Sequence, residues 1–538
     1  MVPVSNERIS IPRKENKNIE FKERLTPAVH LKDDKRQHLA AQMRYTLELG
    51  RGEAVYIIGV DDNGKAVGLT DIEFEETLNV LKVVATENGA RLVKTEKFSE
   101  NGDGTSGGVG GKFIGRLLFV RDGKPVKQHV IVATAGHVNH GKSTLIACLM
   151  TGRPDSEGKS WLYLDTLPHE IEHGLSADLH FALYGFKTGK PLHFKNPLDK
   201  RERAKVVAEA DKLVSFVDTV GHENWQKTTI RGLVGQNIDY GLLVVAADDG
   251  VTHITREHLG LLLAMDLPVI ICVTKVDRAQ EAKIAIVERQ IDDLLKNVGR
   301  VPYAIRKEGD IAVIVDKMQT VVPVIRTSAA TLEGYDLLDS LLLTLPERAK
   351  PLDRPFLMFI DRSYNITGAG VVVSGTIKQG VLTPDAQLII GPDKEGRFSE
   401  VKAKSIEMHY HRLELANAGL VVGVALKGIR FEDVERGMIL CDASIKPRAV
   451  RSVEAEVLVL NHPTRIATGY EPVLHTNTVA ESVKLSLVDK RYLKAGESGQ
   501  VCMTFRYKPQ FLQEGDKFVF REGKTKGIGT ITKIVAYA

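Results

Sequence analysis

Between residues 129 and 350 the chain alternates apolar runs, VIVATA, SFVDTV, LLVVAA, VIICVT and VVPVI, with amphipathic stretches. Runs that stay apolar at successive positions are buried on both faces, so they predict a parallel sheet with helices on either side. The polar, irregular stretch 151–210 interrupts this rhythm and reads as a loop that responds to ligand. After the proline-containing hinge AKPLDRP the pattern shortens. FLMFIDRSY, VVVSGTI, AQLIIG, VKAKSIEM and LVVGVAL fall between Gly, Asp and Pro turns, which predicts a β-barrel over 351–445 and a second over 446–538. Ahead of residue 129, EAVYIIGV, DDNGK and AVGL read as strand, Asn-Gly turn and strand. A helix follows with Phe74, Leu78, Leu81 and Val84 on one face. RLVKTEKF and FIGRLLFV then form a hairpin around the glycine-rich tip NGDGTSGGVGG.

Length adds that 538 residues exceed a single core. A net charge of only +4 confines any nucleic-acid contact to local patches. No apolar run is long enough to span a membrane, and MVPVSNERISIPRKENKN lacks the apolar core of a signal peptide. Cys148, Cys272, Cys441 and Cys502 are scattered among apolar neighbours, the usage of buried thiols in a reducing cytosol. The expectation is a cytoplasmic monomer without a membrane partner.

The chemistry concentrates in four motifs. GHVNHGKS at 136–143 follows a strand and opens a helix with the spacing G-x-x-x-x-G-K-S. Backbone N–H groups of His137, Val138, Asn139, His140, Gly141, Lys142, Ser143 and Thr144 then make a nest for phosphate at a helix N-terminus. Lys142 reaches the β- and γ-phosphates, and the Ser143 hydroxyl takes a Mg²⁺ position. SFVDTVGHE places Asp218 to hold Mg²⁺ through water and Gly221 N–H to meet the γ-phosphate, although a carboxylate there also reads as a helix cap. In VIICVTKVD, the pair Thr274 and Lys275 precede Asp277, which can accept from two ring N–H groups of guanine or cap the next helix. TSA at 327–329 brings Ser328 and the Ala329 N–H to the base. In this order, at the ends of strands in one sheet, the four point to GTP and GDP.

GHVNHGKST, DTVGHE, TKVD and TSA, with NITGAGVVVSGTIKQGVL, PVLHTNTVA and FREGKTKGIGTI, resemble a translational GTPase of the elongation factor Tu class over about 400 residues. TKVD, the block EHLGLLLAMDLPVIICVTKVD and the amino-terminal RGEAVYIIGVDDNGKAVGLTD resemble the GTP-binding protein 1 and 2 family, in its archaeal form. The implied architecture is multidomain α/β plus all-β. An α+β amino-terminal domain (1–128) precedes a P-loop GTPase domain with a parallel sheet (129–350) and two β-barrels, domain II (351–445) and domain III (446–538).

The resemblance implies that His222 positions the attacking water, where spacing alone reads equally as a polar helix start. It also implies that Ser176, in EHGLS, completes the Mg²⁺ shell. The implied partners are the ribosome, with aminoacyl-tRNA or with a rescue or mRNA-decay factor. Lys402, Lys404, Arg506, Lys508, Arg521, Lys524 and Lys526 are candidates for tRNA phosphates or plain solvated surface. MHYHR at 408–412 is a candidate base-stacking site or a strand end. IEFKE loosely resembles an RNA-acting module, with Glu20 and Glu23 as possible metal ligands beside the default of a structural domain. The chain departs from the class at Thr274 for Asn, Asn139 for Asp, Val220 for Pro and Ser176 for Thr. The first puts a guanine contact in doubt, and the second leaves a monovalent-ion requirement open.

Overall fold

The computed structural model describes residues 4–5, 18–50, 52–61, 63–99, 112–121, 128–166, 179–221, 226–235, 237–348, 350–352, 354–523 and 525–538. His222, Ser176, Lys524 and the glycine-rich tip 101–111 lie outside them. The chain divides into two compact units, one formed by Met1–Lys127 with Leu352–Arg354, the other by Gln128–Pro351 with Pro355–Ala538.

The first unit is α+β. Its sheet runs Val4–Ser5, Ala90–Ser99, Phe113–Arg121, Glu53–Ile58, Ile19–Lys22. The Ala90–Ser99 and Phe113–Arg121 strands are antiparallel, the expected hairpin. Helix Asp71–Glu87 starts at a capping box, in which Thr70 and Glu73 satisfy each other's exposed N–H groups. It buries Phe74, Leu78, Leu81 and Val84 against the sheet together with Met43 and Leu47 of helix Asp33–Leu49. AVGL, however, is not a continuous strand: Asp61 binds the turn at Asn63 and Lys65, and beyond it only the isolated bridges Val60 to Ala66 and Leu69 to Phe113 pair. Nor does IEFKE assemble a metal site. Glu20 is ion-paired with Lys22 at 2.9 Å and accepts from Gln42, and it joins no metal-ligating cluster among the described residues.

In the second unit an eight-stranded sheet runs Val301–Ala304, Val321–Arg326, Val269–Thr274, Tyr240–Ala246, Gln128–Gly136, Lys212–Asp218, His180–Lys187, Lys190–Pro191. The first six are mutually parallel, and His180–Lys187 runs antiparallel to Lys212–Asp218. That edge strand and helix Lys200–Glu209 correct the reading of 151–210 as irregular. The helix was obscured because only Val206 and Val207 of its ten residues are buried.

Leu357–Ile366, Gly370–Gln379, Val421–Lys427, Ser399–Met408, Gln387–Gly391 and Ile439–Asp442 close into the first barrel. Val450–Asn461, Ser498–Phe505, Val479–Leu487, Val473–Thr476, Lys517–Glu522 and Thr525–Tyr537 close the second. Both are fastened to the sheet domain. Buried His129, at the start of the central strand, donates from Nδ1 to Gly419 O at 3.0 Å and accepts at Nε2 from Ser215 Oγ at 2.8 Å. Lys526 pairs with Glu257 at 2.5 Å.

These ties also revise the basic surface. Lys526 holds the second barrel to the sheet domain, and Lys508 joins Glu435 of the first barrel at 2.8 Å. Lys402 pairs with Asp385 at 2.7 Å and Arg506 with Glu471 at 3.5 Å. Lys404 and Arg521 donate to the carbonyls of Gly368 and Gly523. In MHYHR, His409 and Tyr410 form the turn between two strands with left-handed backbone. Tyr410 is exposed, and Lys200 Nζ lies 5.0 Å from its ring centroid. Among the described residues no helix is long and apolar enough to cross a membrane.

Candidate functional site

The site lies at the carboxyl ends of the central parallel strands, where the loops of an open α/β sheet leave a crevice. Strand Gln128–Gly136 delivers the chain to helix Lys142–Thr151 through a turn in which Asn139 (φ 61°) and Gly141 (φ 87°) adopt left-handed backbone. Gly136 admits no side chain: a Cβ there would stand 2.3 Å from the carbonyl oxygen of Val244 on the neighbouring strand. His258, 122 positions away, fixes the same point, its Nδ1 accepting from Gly136 N–H at 2.9 Å.

A pocket of about 290 Å³ opens over this turn. Val138, Asn139, Gly141, Lys142, Ser143 and Thr144 line one side, Gly221 the next, and Thr274, Lys275, Asp277 and Ala329 the far end. Asp218 is buried and accepts from the hydroxyls of Thr134 and Ser143, each at 2.6 Å. Lys142 is buried too and donates to the carbonyls of His137 (2.9 Å) and Gly136 (3.3 Å). Burial lowers its pKa, opposed by the nearby carboxylates of Asp218 and Asp165. Gly221 presses on the turn so closely that a Cβ would lie 2.4 Å from Lys142 Nζ.

At the far end Asp277 sits in a single 3₁₀ turn, Val276–Arg278, and the next helix begins only at Glu281 after its N-cap Gln280. The capping alternative for Asp277 therefore falls away, and its Oδ1 accepts from Ser328 Oγ at 2.5 Å. Arg326, just before the TSA turn, is locked to Glu288 through two hydrogen bonds of 2.7 and 2.8 Å and to Glu281 at 2.8 Å. This braces the strand end that presents Ser328 and Ala329.

Two predicted positions turn away from the pocket. The side chains of His137 and His140 face Asp249, and His140 Nε2 lies 2.8 Å from Asp249 Oδ2. Burial lowers the His140 pKa, with Asp249 opposing. Other pocket residues escape sequence reasoning: Asp155, Trp161 and Asp165 line it from the segment after helix Lys142–Thr151. Asp155 N–H binds Ala329 O at 2.8 Å and so joins that segment to the base end. No motif spacing announces such contacts.

Thr274 gains a use that its departure from Asn did not suggest. Its hydroxyl donates to His140 O at 2.7 Å, fastening the phosphate turn to the base end. Thr274→Val is expected to weaken GDP binding about fivefold, the equivalent of one ordinary hydrogen bond of ~1 kcal/mol. Equilibrium titration with a fluorescent GDP reads this, and an unchanged affinity would show the tie to be dispensable.

Comparison with known proteins agrees with this geometry. Residues 127–347 match the family model for the elongation factor Tu GTP binding domain, 370–441 that for elongation factor Tu domain 2, and 446–535 that for the elongation factor Tu C-terminal domain. The chain is 32% identical over 539 residues to GTP-binding protein 2 of Mus musculus, covering 98% of this chain and 88% of that protein. It is 30% identical to GTP-binding protein 1 of Xenopus laevis, covering 92% and 76%. With elongation factor 1-alpha of Methanopyrus kandleri it shares 31% identity, covering 74% of this chain and 90% of the relative. Among solved structures, a bacterial selenocysteine-specific elongation factor superposes with a TM-score of 0.55 at 22% identity. That match covers 75% of this chain and 58% of the other. Elongation factor SelB from Methanococcus maripaludis with the GTP analogue GPPNHP gives 0.54 at 20%, covering 76% and 80%. At these identities the superpositions bear on fold alone.

Proposed function

Because the chain belongs to the elongation factor Tu class of GTPases, alongside GTP-binding proteins 1 and 2, we propose that it hydrolyses GTP on the ribosome as a translation-class factor. The observation that supports this most directly is the join of the nucleotide pocket to two barrels in one compact unit, through His129, Gly419, Lys526 and Glu257. A change at the phosphate turn then has a path to the surfaces that hold a partner.

Phosphoryl transfer asks for positioning and charge stabilisation rather than covalent chemistry. The turn 137–144 cradles the phosphates, and Lys142 leaves its carbonyl partners for the β- and γ-oxygens. Gly221 N–H stands beside it for the γ-phosphate. The buried all-oxygen set of Asp218, Ser143 and Thr134 suits a hard cation. Mg²⁺ would be held by the Ser143 hydroxyl, by Ser176 and, through water, by Asp218, and supplies neutralisation of charge on the phosphates. Asp277 and the Ala329 N–H select guanine, while Lys275, 3.4 Å from Asp248, packs beneath the base. His222 orients the attacking water on the ribosome. The partner carried by the barrels is aminoacyl-tRNA, bound through its acceptor end, in the cytoplasm.

GTP turnover alone, with ribosomes, and with ribosomes plus aminoacyl-tRNA tests the reading against His222→Ala. Ribosomes should accelerate the wild type, and the variant should lose that gain, by about 10²-fold or more for a positioned catalytic group, while still binding GTP. A rate indifferent to ribosomes overturns the translational assignment. A gain from ribosomes without any further gain from aminoacyl-tRNA turns the assignment to ribosome rescue or mRNA surveillance.

A further inference from the structure

On the side of the phosphate turn away from the pocket, His137, His140 and Asp249 bring three ligand atoms within 4.8 Å of one another. His140 Nε2 stands 2.8 Å and His137 Nδ1 3.8 Å from the same oxygen, Asp249 Oδ2. In a tetrahedral zinc site, with bonds of 2.0–2.1 Å, ligand atoms stand roughly 3.3 Å apart. The His140–Asp249 pair must open and the His137–Asp249 pair close, each by roughly half an ångström, and the two ring nitrogens, within 4.8 Å of each other, close by up to about 1.5 Å.

Three details favour a metal over a plain hydrogen bond. His137 Nδ1 is buried yet has no hydrogen-bond partner among the described residues, a vacancy that an ion on Asp249 would fill. His140 Nδ1 accepts from Ala246 N–H at 3.2 Å and lies 3.3 Å from Val244 O, the outer contact of a ligating imidazole. With the proton moved to Nδ1 the ring gives up the Ala246 N–H, donates to that carbonyl and leaves Nε2 free for the metal. The scaffold is also rigid: His140 O is tied to Thr274 at 2.7 Å, and Asn139 holds the left-handed turn that sets the two rings 5.3 Å apart. Two imidazoles and one carboxylate prefer Zn²⁺, Co²⁺ or Ni²⁺ to Mg²⁺.

We propose that His137, His140 and Asp249 bind one divalent transition-metal ion of the Zn²⁺ type, with water as fourth ligand, and that the ion slows release of GDP. The second half rests on the GTPase reading; the first does not. The ion would fasten the phosphate turn to the loop that follows strand Tyr240–Ala246. That loop also braces the base end, since Asp248 pairs with Lys275 and its carbonyl accepts from Lys283.

The test is Co²⁺ titration of the full chain, stripped of metal and then loaded with Mg²⁺ and GDP. The wild type should develop the intense visible bands of four-coordinate cobalt, and one equivalent of Zn²⁺ should displace them. Asp249→Asn keeps an acceptor for His140 at an exposed position, and His137→Gln removes the other imidazole. Each should weaken cobalt binding by about tenfold or more. Absent bands, or only the weak six-coordinate spectrum with equal affinity in both variants, overturns the site. Zn²⁺ should also slow release of a fluorescent GDP from the wild type and not from Asp249→Asn. Bands without any slowing overturn the control of release.

Discussion

Asp277→Asn should lose GDP and GTP by about 10²–10⁴-fold and accept xanthosine nucleotides in their place. Guanine offers N1–H and its exocyclic amine side by side, and both donate to one carboxylate. Two hydrogen bonds to a charged acceptor are worth ~3–6 kcal/mol together, which sets the range. An asparagine keeps one acceptor for N1–H but presents an N–H₂ to the amine, so one contact turns repulsive. Xanthine carries a carbonyl where guanine has the amine and restores the pair. The fold at this point should survive, because the hydroxyl of Ser328 that now donates to Asp277 Oδ1 finds the amide oxygen instead. Displacement of fluorescent GDP and its xanthosine counterpart reads the switch. A variant that holds GDP within tenfold of the wild type would place base recognition elsewhere.

The residues of that prediction were legible because phosphate and base recognition confine their chemistry to contiguous backbone. GHVNHGKS, DTVG, TKVD and TSA each sit on one strand end, and the fold supplies only their convergence. The central strands were legible for a related reason: both faces are buried, so VIICVT and LLVVAA carry no polar interruption. The edge strand HFALYGFK was not, since it mixes His, Gly and Lys into an apolar run. The contacts that hold the site together from a distance left no trace in the sequence. His258 meets Gly136 over 122 positions, Asp249 meets His140 over 109, and Thr274, visible as a motif residue, meets His140 O over 134. No local spacing announces such pairs, and only the packed sheet brings each residue to its partner. The ties of Lys508 and Lys526 were hidden for a different reason. Their charge was visible, but the acids that occupy Lys508 and Lys526 lie in other domains.

Those buried histidines carry the second large effect. His129 and His258 are each pushed down to about 3, by burial first and then by neighbouring positive charge, Lys350 for the former and Lys142 for the latter. The unfolded chain takes up a proton on each near 6.5, whereas the folded chain resists until about 3. The unfolded state therefore binds more protons throughout that window, and each histidine withdraws up to about 1.4 kcal/mol of stability per pH unit as pH falls below 6.5. Asp339 acts in the opposite sense, because burial raises its carboxyl to about 6 and the folded chain gains its proton first. Comparison with a variant separates the two. His258→Asn places an amide oxygen where Nδ1 now accepts from Gly136 N–H and removes the titration. Between pH 6.5 and 5 its stability should fall less steeply than that of the wild type, by a difference that grows to about 1.4 kcal/mol per pH unit at the acid end, read from urea midpoints. Equal slopes would mean that His258 takes its proton in the folded chain.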